Sequence, residues 1–227
     1  MKYHTIISLL ALSLFGSPML HAQGLGQQYS ISFKTVGWGK SYRGLYMMVG
    51  GEKKPVVVGK MGLSPKLQYY GPSPLVLYRD TQVGEVTEPK PVASVNLEGV
   101  SSPLLMLVSG QPDSPQIRVM DDSGLYQPAG MTVINMSSKL LAFSIGDERF
   151  SIPPDEKKQL DLKSQMGSRE TAWTEVTTSI GAQDEKGDWR VVYRKRWPIS
   201  DTSSLLVFAV EEHGNVLTKM VRNYLNR

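Results

Sequence analysis

Between residues 29 and 222 the chain is a succession of short runs rich in β-branched and aromatic residues, separated by clusters of Gly, Pro, Asp and Asn. Such punctuation leaves no room for long helices and predicts strands joined by tight turns. The runs fall into two sets. The first covers 29–36, 45–49, 56–60, 75–79, 92–97, 104–109 and 117–120. After the turn-like Asp121-Asp122-Ser123-Gly124, the second covers 131–135, 140–145, 149–152, 159–162, 174–183, 189–197, 205–211 and 216–222. Two hairpins carry Gly where a positive φ is needed: Asp184-Glu185-Lys186-Gly187-Asp188 and Glu212-His213-Gly214-Asn215. The one stretch that competes as a helix is 154–163, with Pro154 at its start and acids in its first turn.

The two sets are related. SSPLLMLVSGQPDSPQIRVMDD, from Ser101, aligns with TSSLLVFAVEEHGNVLTKMVRN, from Thr202, at an offset of 101. Leu104-Leu105 falls on Leu205-Leu206, and Met120 on Val221. Earlier in each half, LYMMVGGEKKPV from Leu45 resembles LAFSIGDERFSI from Leu141, placing Gly50-Gly51-Glu52-Lys53 on Gly146-Asp147-Glu148-Arg149 at an offset of 96. About seven short strands in roughly 100 residues is the layout of a β-sandwich. The expected architecture is therefore all-β: two tandem antiparallel sandwiches over 23–123 and 124–227, with one large pseudo-symmetric sandwich as the alternative.

MTVINMSSKLLAFSIGDERFSIPPDEKKQL, from Met131, resembles exported bacterial β-sandwich (immunoglobulin-like) modules of unknown function. These share a strand ending in Asn, a small polar turn, a strand ending in Gly-Gly or Gly-Asp, a short strand, and Pro-Gly or Pro-Pro. Asn135, Gly146-Asp147 and Pro153-Pro154 occupy those places, and the chain departs from the pattern with Asp155 where Gly is usual. The resemblance spans about 30 residues, implies the fold, and transfers no catalytic residue.

The first 22 residues read as a secretory signal peptide: Lys2, an apolar run over 6–15, a break at Gly16-Ser17-Pro18, and a cleavage site at Leu20-His21-Ala22. The run is too short to cross a bilayer as a helix, and no Cys follows it to accept a lipid. The product is expected to be exported and soluble, in the periplasm or outside the cell. Its loss removes one Lys and no acid, so Lys+Arg falls from 25 to 24 against 21 Asp+Glu, a net charge of +3. That is far short of a nucleic-acid footprint, but enough for weak attraction to anionic envelope polymers.

Composition narrows the chemistry. The chain has no Cys, which excludes thiolate nucleophiles and thiolate metal sites. Of its three His, His4 and His21 lie in the leader, leaving His213 at a hairpin tip between Glu211-Glu212 and Gly214-Asn215. There is no Gly-x-Ser-x-Gly elbow to present a nucleophile to it, and one His does not make a zinc site. A solvated turn residue is the simpler reading. Glycoside hydrolysis needs only two carboxylates, and Asp121, Asp122, Asp147, Glu148, Glu211 and Glu212 are the candidates. All fall at strand ends or turns, where acids are common for conformational reasons. The 184–188 loop lacks EF-hand spacing. The Met residues sit in apolar runs as filling rather than as copper ligands. No catalytic residue, metal or cofactor is implied.

Two surfaces are left as contact candidates. Tyr69 and Tyr70 lie in a Pro/Gly-rich loop, 67–74, where exposed rings would stack on a sugar or a partner. In the run 189–197 the alternation puts Trp189, Val191, Tyr193 and Trp197 on one face, expected to be core, and Arg190, Arg194 and Arg196 on the other. That second face suits an acidic partner or an anionic polymer, or else guards a sheet edge. The functional expectation is a non-catalytic exported binding or structural module of the envelope or extracellular space. The alternative is a secreted carbohydrate-binding or carboxylate-dependent glycan-hydrolysing protein. A third reading is a subunit that docks through an exposed strand edge.

Overall fold

A computed structural model describes residues 27–166, 173–184 and 186–225. The leader assigned to residues 1–22 lies outside them. Sixteen strands form four four-stranded sheets. In the first half β1 (Gln28–Gly37), β4 (Leu67–Pro72), β7 (Leu104–Gln111) and β8 (Ser114–Asp121) form one sheet, in the order β4-β1-β7-β8. It faces β2 (Tyr46–Val49), β3 (Glu52–Pro55), β5 (Leu75–Val83) and β6 (Val86–Val95), in the order β3-β2-β5-β6. The second half repeats this with β9 (Gly130–Met136), β10 (Leu141–Ile145), β11 (Glu148–Ile152), β12 (Lys157–Asp161), β13 (Trp173–Gln183), β14 (Trp189–Ser200), β15 (Ser203–Glu212) and β16 (Asn215–Tyr224). Its sheets run β12-β9-β15-β16 and β11-β10-β13-β14. The repeat is therefore carried by topology as well as sequence, strand for strand. Pairing is antiparallel except for one parallel pair per half, β1 with β7 and β9 with β15.

Apolar alternation accounts for three cores. Leu104, Met106 and Val108 of β7 pack into the first sandwich with Phe33, Leu75 and Leu77. Leu205, Val207 and Ala209 of β15 do the same in the second, with Phe143, Ile180 and Trp197. The intervening side chains, Leu105 and Leu107 from one half and Leu206 and Phe208 from the other, form a third core with Val36, Leu125, Ile134 and Val221. This third cluster joins the two halves. It explains why β7 and β15 are continuous apolar runs rather than alternating ones: each is covered on both faces.

Several readings are settled or corrected. The strand read over 159–162 is present as β12, entered by a turn, and not the competing helix over 154–163; the four-residue α1 (Lys163–Met166) follows it. Gln159 to Leu160 pairing with Thr132 and Met131 outweighs the helix-start signal. The stretch 67–74, read as a loop, is largely β4, paired with β1 from Gln28↔Pro72 to Phe33↔Leu67. Pro and Gly are tolerated because β4 is an edge. Residues 56–60 form no strand, only an isolated bridge between Tyr42 and Val58. Both expected hairpins are present. His213 (φ 51) and Gly214 (φ 76) make a two-residue turn between Glu212 and Asn215, the positive-φ pair of a type I′ turn. Gly187 (φ 86) closes the other, where Asp184 donates its N–H to Asp188 O at 2.9 Å.

Candidate functional site

The two halves meet along the β7 and β15 faces, and the rim of that contact opens into a cleft of about 850 Å³. Trp38, Lys40 and Lys60 line it from the first half; Glu212, His213, Leu217 and Lys219 line it from β15 and β16; Val192 and Tyr193 line it from β14. Two hydrogen bonds tie its walls: Trp38 Nε1–H donates to Glu212 Oε1, and Lys219 Nζ donates to the Gly37 carbonyl.

Lys219 is placed by register. It stands opposite Phe208, and cross-strand partners share a face, so its side chain is directed toward the first half beside the buried Val221. It is the one cation in an otherwise apolar stripe, Leu217–Lys219–Val221. Burial, reinforced by the neighbouring Lys60 ammonium, pushes its pKa down to about 8. Among the described residues no carboxylate pairs with Lys219, Lys60 or Lys40. Glu212, the acid in the cleft, accepts from Trp38 instead. The cleft thus holds Lys219 and Lys60 as neighbours, neither in a salt bridge, beside the Trp38 and Tyr193 side of the wall, with Glu212 turned to Trp38. Chemically it can receive an anion and an apolar group side by side.

The repeat offers an internal comparison. Arg118 occupies the position of Lys219 at the offset of 101, and it too crosses to the other half, donating from Nη1 to Met136 O at 2.9 Å. Arg118 is exposed, whereas Lys219 is drawn into the cleft. The sequence reading missed Lys219, Lys60 and Trp38. The available signals were the lysine in the apolar face of β16 and an isolated Trp between Gly37 and Gly39.

The contact candidates are scattered by the fold. Tyr69 is buried in the first core, its hydroxyl donating to Pro72 O at 2.7 Å. Tyr70, its neighbour on the opposite face of β4, is 61% exposed, in a separate groove with Tyr78. On β14 the expected faces are reversed at one end. A bulge opposite Ile180/Gly181 sets Tyr193 against Ile180 but Val191 against Gly181, leaving Val192 as the extra residue. Beyond it Arg190 pairs with the buried Ala182 and so lies on the inner side, where it meets Asp184 at 3.1 Å. Trp189 and Val191, expected in the core, are instead 48% and 72% exposed. Arg194 and Arg196 keep the outer face, opposite Ser179 and Thr177. The arginines do not form one patch.

The six candidate acids sit in separate places. Asp121 accepts from Ser123 N at 2.8 Å, and Glu211 from Ser138 Oγ at 2.5 Å. Asp122 is buried, accepts from the Tyr126 hydroxyl and lies 3.7 Å from Lys34; burial raises its pKa despite those partners. Asp147 and Glu148 occupy the β10–β11 hairpin. Among the described residues no three His, Asp or Glu side chains converge as metal ligands, and no helix is long and apolar enough to cross a membrane.

No protein-family model and no curated protein matches the chain. Among solved structures it is similar to the paired C2 domains of extended-synaptotagmin 2, at 9% identity over 100% of both chains, with a TM-score of 0.24.

Proposed function

We propose that this is an exported, non-catalytic binding protein whose partner seats in the cleft between the two sandwiches. The observation that carries the reading is the pair of ammonium groups, Lys60 and Lys219, which line the cleft without a salt bridge among the described residues, while its carboxylate, Glu212, is engaged by Trp38. Holding two cations in such a place is unfavourable in the free protein and is relieved when an anionic group arrives. The leader-like N-terminus supports an envelope or extracellular location, and the dispersal of the acids supports binding rather than hydrolysis. A photo-crosslinking residue at Leu217, which is 44% exposed at the cleft, tests it in cells. A reproducible adduct from Leu217, absent when the same residue replaces the distant Val83, is the expected result. Equal labelling at both positions, or none, rejects the cleft as the docking site.

A second reading has one observation in its favour. Exposed Tyr70 lies in a groove with Tyr78, which itself stacks on Tyr46 at 5.8 Å, and such rings present flat faces to a sugar. Retention on immobilised envelope glycans that is lost in Tyr70→Ala favours this reading; retention unchanged by Tyr70→Ala removes it.

A further inference from the structure

The two sandwiches have the same strand order but differently finished edges. In the first, β6 and β8 are the outer strands of their sheets and pack against each other. β6 carries Pro89 and Pro91 and β8 carries Pro115, positions with no N–H to offer an incoming strand. In the second, the equivalent strands β14 and β16 touch less extensively and frame a groove of about 420 Å³ lined by Arg190 and Leu217. β14 has a proline only near its end, Pro198, and β16 has none. Among the described strands, β14 is laddered to β13 alone, so its other side carries no strand partner; toward its end that side is approached by β16, where Arg222 Nη2 donates to Pro198 O at 2.7 Å. The groove continues into the inter-sandwich cleft, since Val192, Val216 and Leu217 line both.

An open edge this long invites strand addition, and its side chains say which strand is admitted. Arg190, Arg194, Lys195 and Arg196 put four cations in 189–197 with no acid among them; Arg190 meets Asp184 at 3.1 Å and Arg196 lies 4.0 Å from Glu175, leaving Arg194 and Lys195 without a salt bridge among the described residues. A second copy of β14 brings the same charges and is repelled. An acidic segment is attracted, while exposed Val191, Val192 and Leu217 offer its apolar residues a surface. An anionic polysaccharide would answer the charge but has no peptide backbone to satisfy the open ladder. Building on the proposed role of the cleft, we infer that an extended acidic peptide from a partner protein adds to the free edge of β14 as an extra strand and sets a carboxylate between Lys60 and Lys219. That carboxylate is either a C-terminus or an acidic side chain; the chemistry at the lysines is the same.

The probe is a peptide of about nine residues, a common strand length, alternating valine and glutamate. It is made as the free acid, as the C-terminal amide, and with alternate backbone amides N-methylated. Binding to the full exported chain is followed by tryptophan fluorescence and by hydrogen exchange. The expected result is saturable binding with new amide protection in 189–197, abolished by N-methylation and weakened at least about tenfold in the double variant Lys60→Gln, Lys219→Gln. An equal loss for the amidated peptide identifies the carboxylate as C-terminal; no loss identifies it as a side chain. Binding that survives N-methylation, protection elsewhere than 189–197, failure of the peptide to bind, or equal competition by polygalacturonate overturns the inference. If Leu217 still captures a partner in cells while the peptide fails, the cleft reading stands and the strand-addition reading falls. Circular dichroism of the glutamine variant confirms that its loss of binding is not unfolding.

Discussion

Single residues in this chain show how far local chemistry can be read without the fold. Asn135 is completely buried and fully used: its amide donates to Lys139 O (2.8 Å), Ile152 O and Pro153 O (both 3.0 Å), and its oxygen accepts from Ser137 N and Oγ. It pins the β9–β10 turn to the end of β11, at the Asn of the pattern that the sequence resembles. Asn135→Ala leaves several buried polar groups unpaired and is expected to cost about 2–4 kcal/mol in urea titrations. Asp155, where that pattern has Gly, adopts φ 58. Asp155→Gly relieves the left-handed conformation and is expected to stabilise by about 1 kcal/mol. Both positions stood out in the sequence, but their burial and backbone conformation did not. Lys219 did not stand out, because its burial comes from the other sandwich. From about pH 8 to the ordinary lysine value of 10.5, the unfolded chain keeps a proton that the folded chain has released. Stability therefore rises with pH across that window, and the cost of the buried ammonium is fully present below pH 8. Lys219→Met is expected to stabilise the free protein by about 1–2 kcal/mol at pH 7, allowing for partial solvation, and to flatten the rise. Thermal melts from pH 7 to 10.5 check both; a wild-type midpoint that falls over that range contradicts the assignment.

At the scale of elements, the lesson is what alternation can and cannot carry. The apolar runs of β7 and β15 were recognised as strands from their composition and the turns around them. What they are buried against on their second face depends on the docking of the two halves. The Tyr69-Tyr70 stretch was misread because Pro and Gly mark loops in general and edge strands in particular, and the distinction lies in the partner, β1. β14 shows the sharper limit. A strict period of two puts Trp189 and Trp197 on one face, but the bulge at Val192 inserts one residue and reverses everything before it. No residue type announces that bulge. The two tryptophans therefore differ in what they do. Trp197 is fully buried and donates from Nε1 to the Tyr193 hydroxyl at 2.6 Å. In urea titrations Trp197→Ala is expected to cost about 3–5 kcal/mol, whereas Trp189→Ala is expected to cost less than about 1 kcal/mol. Comparable losses at both sites would mean that β14 keeps simple alternation.

For the whole molecule the question is what holds two sandwiches of one topology together. Their third core is apolar and closed: Leu105, Leu107, Leu206, Phe208 and Val221 are essentially without solvent contact. Around it the cross-links follow the repeat, Arg118 to Met136 O on one side and Lys219 to Gly37 O on the other. The linker is fastened as well, with Tyr126 donating to Asp122 and lying beneath Lys34 Nζ at 3.9 Å. The candidate site inherits this arrangement, because Lys60 and Trp38 belong to one half and Lys219 and Glu212 to the other. Neither half alone has the pair of cations, so docking of the halves and formation of the site are the same event. Leu107→Glu tests that identity by placing a charge where burial leaves no water to solvate it. The wild type is expected to unfold in one calorimetric transition and the variant in two, each half keeping its own core. The same variant is expected to lose capture of a partner at Leu217 while retaining strand content by circular dichroism. Two transitions with undiminished capture would place the whole binding surface on the second sandwich, and the cleft would then be a by-product of packing.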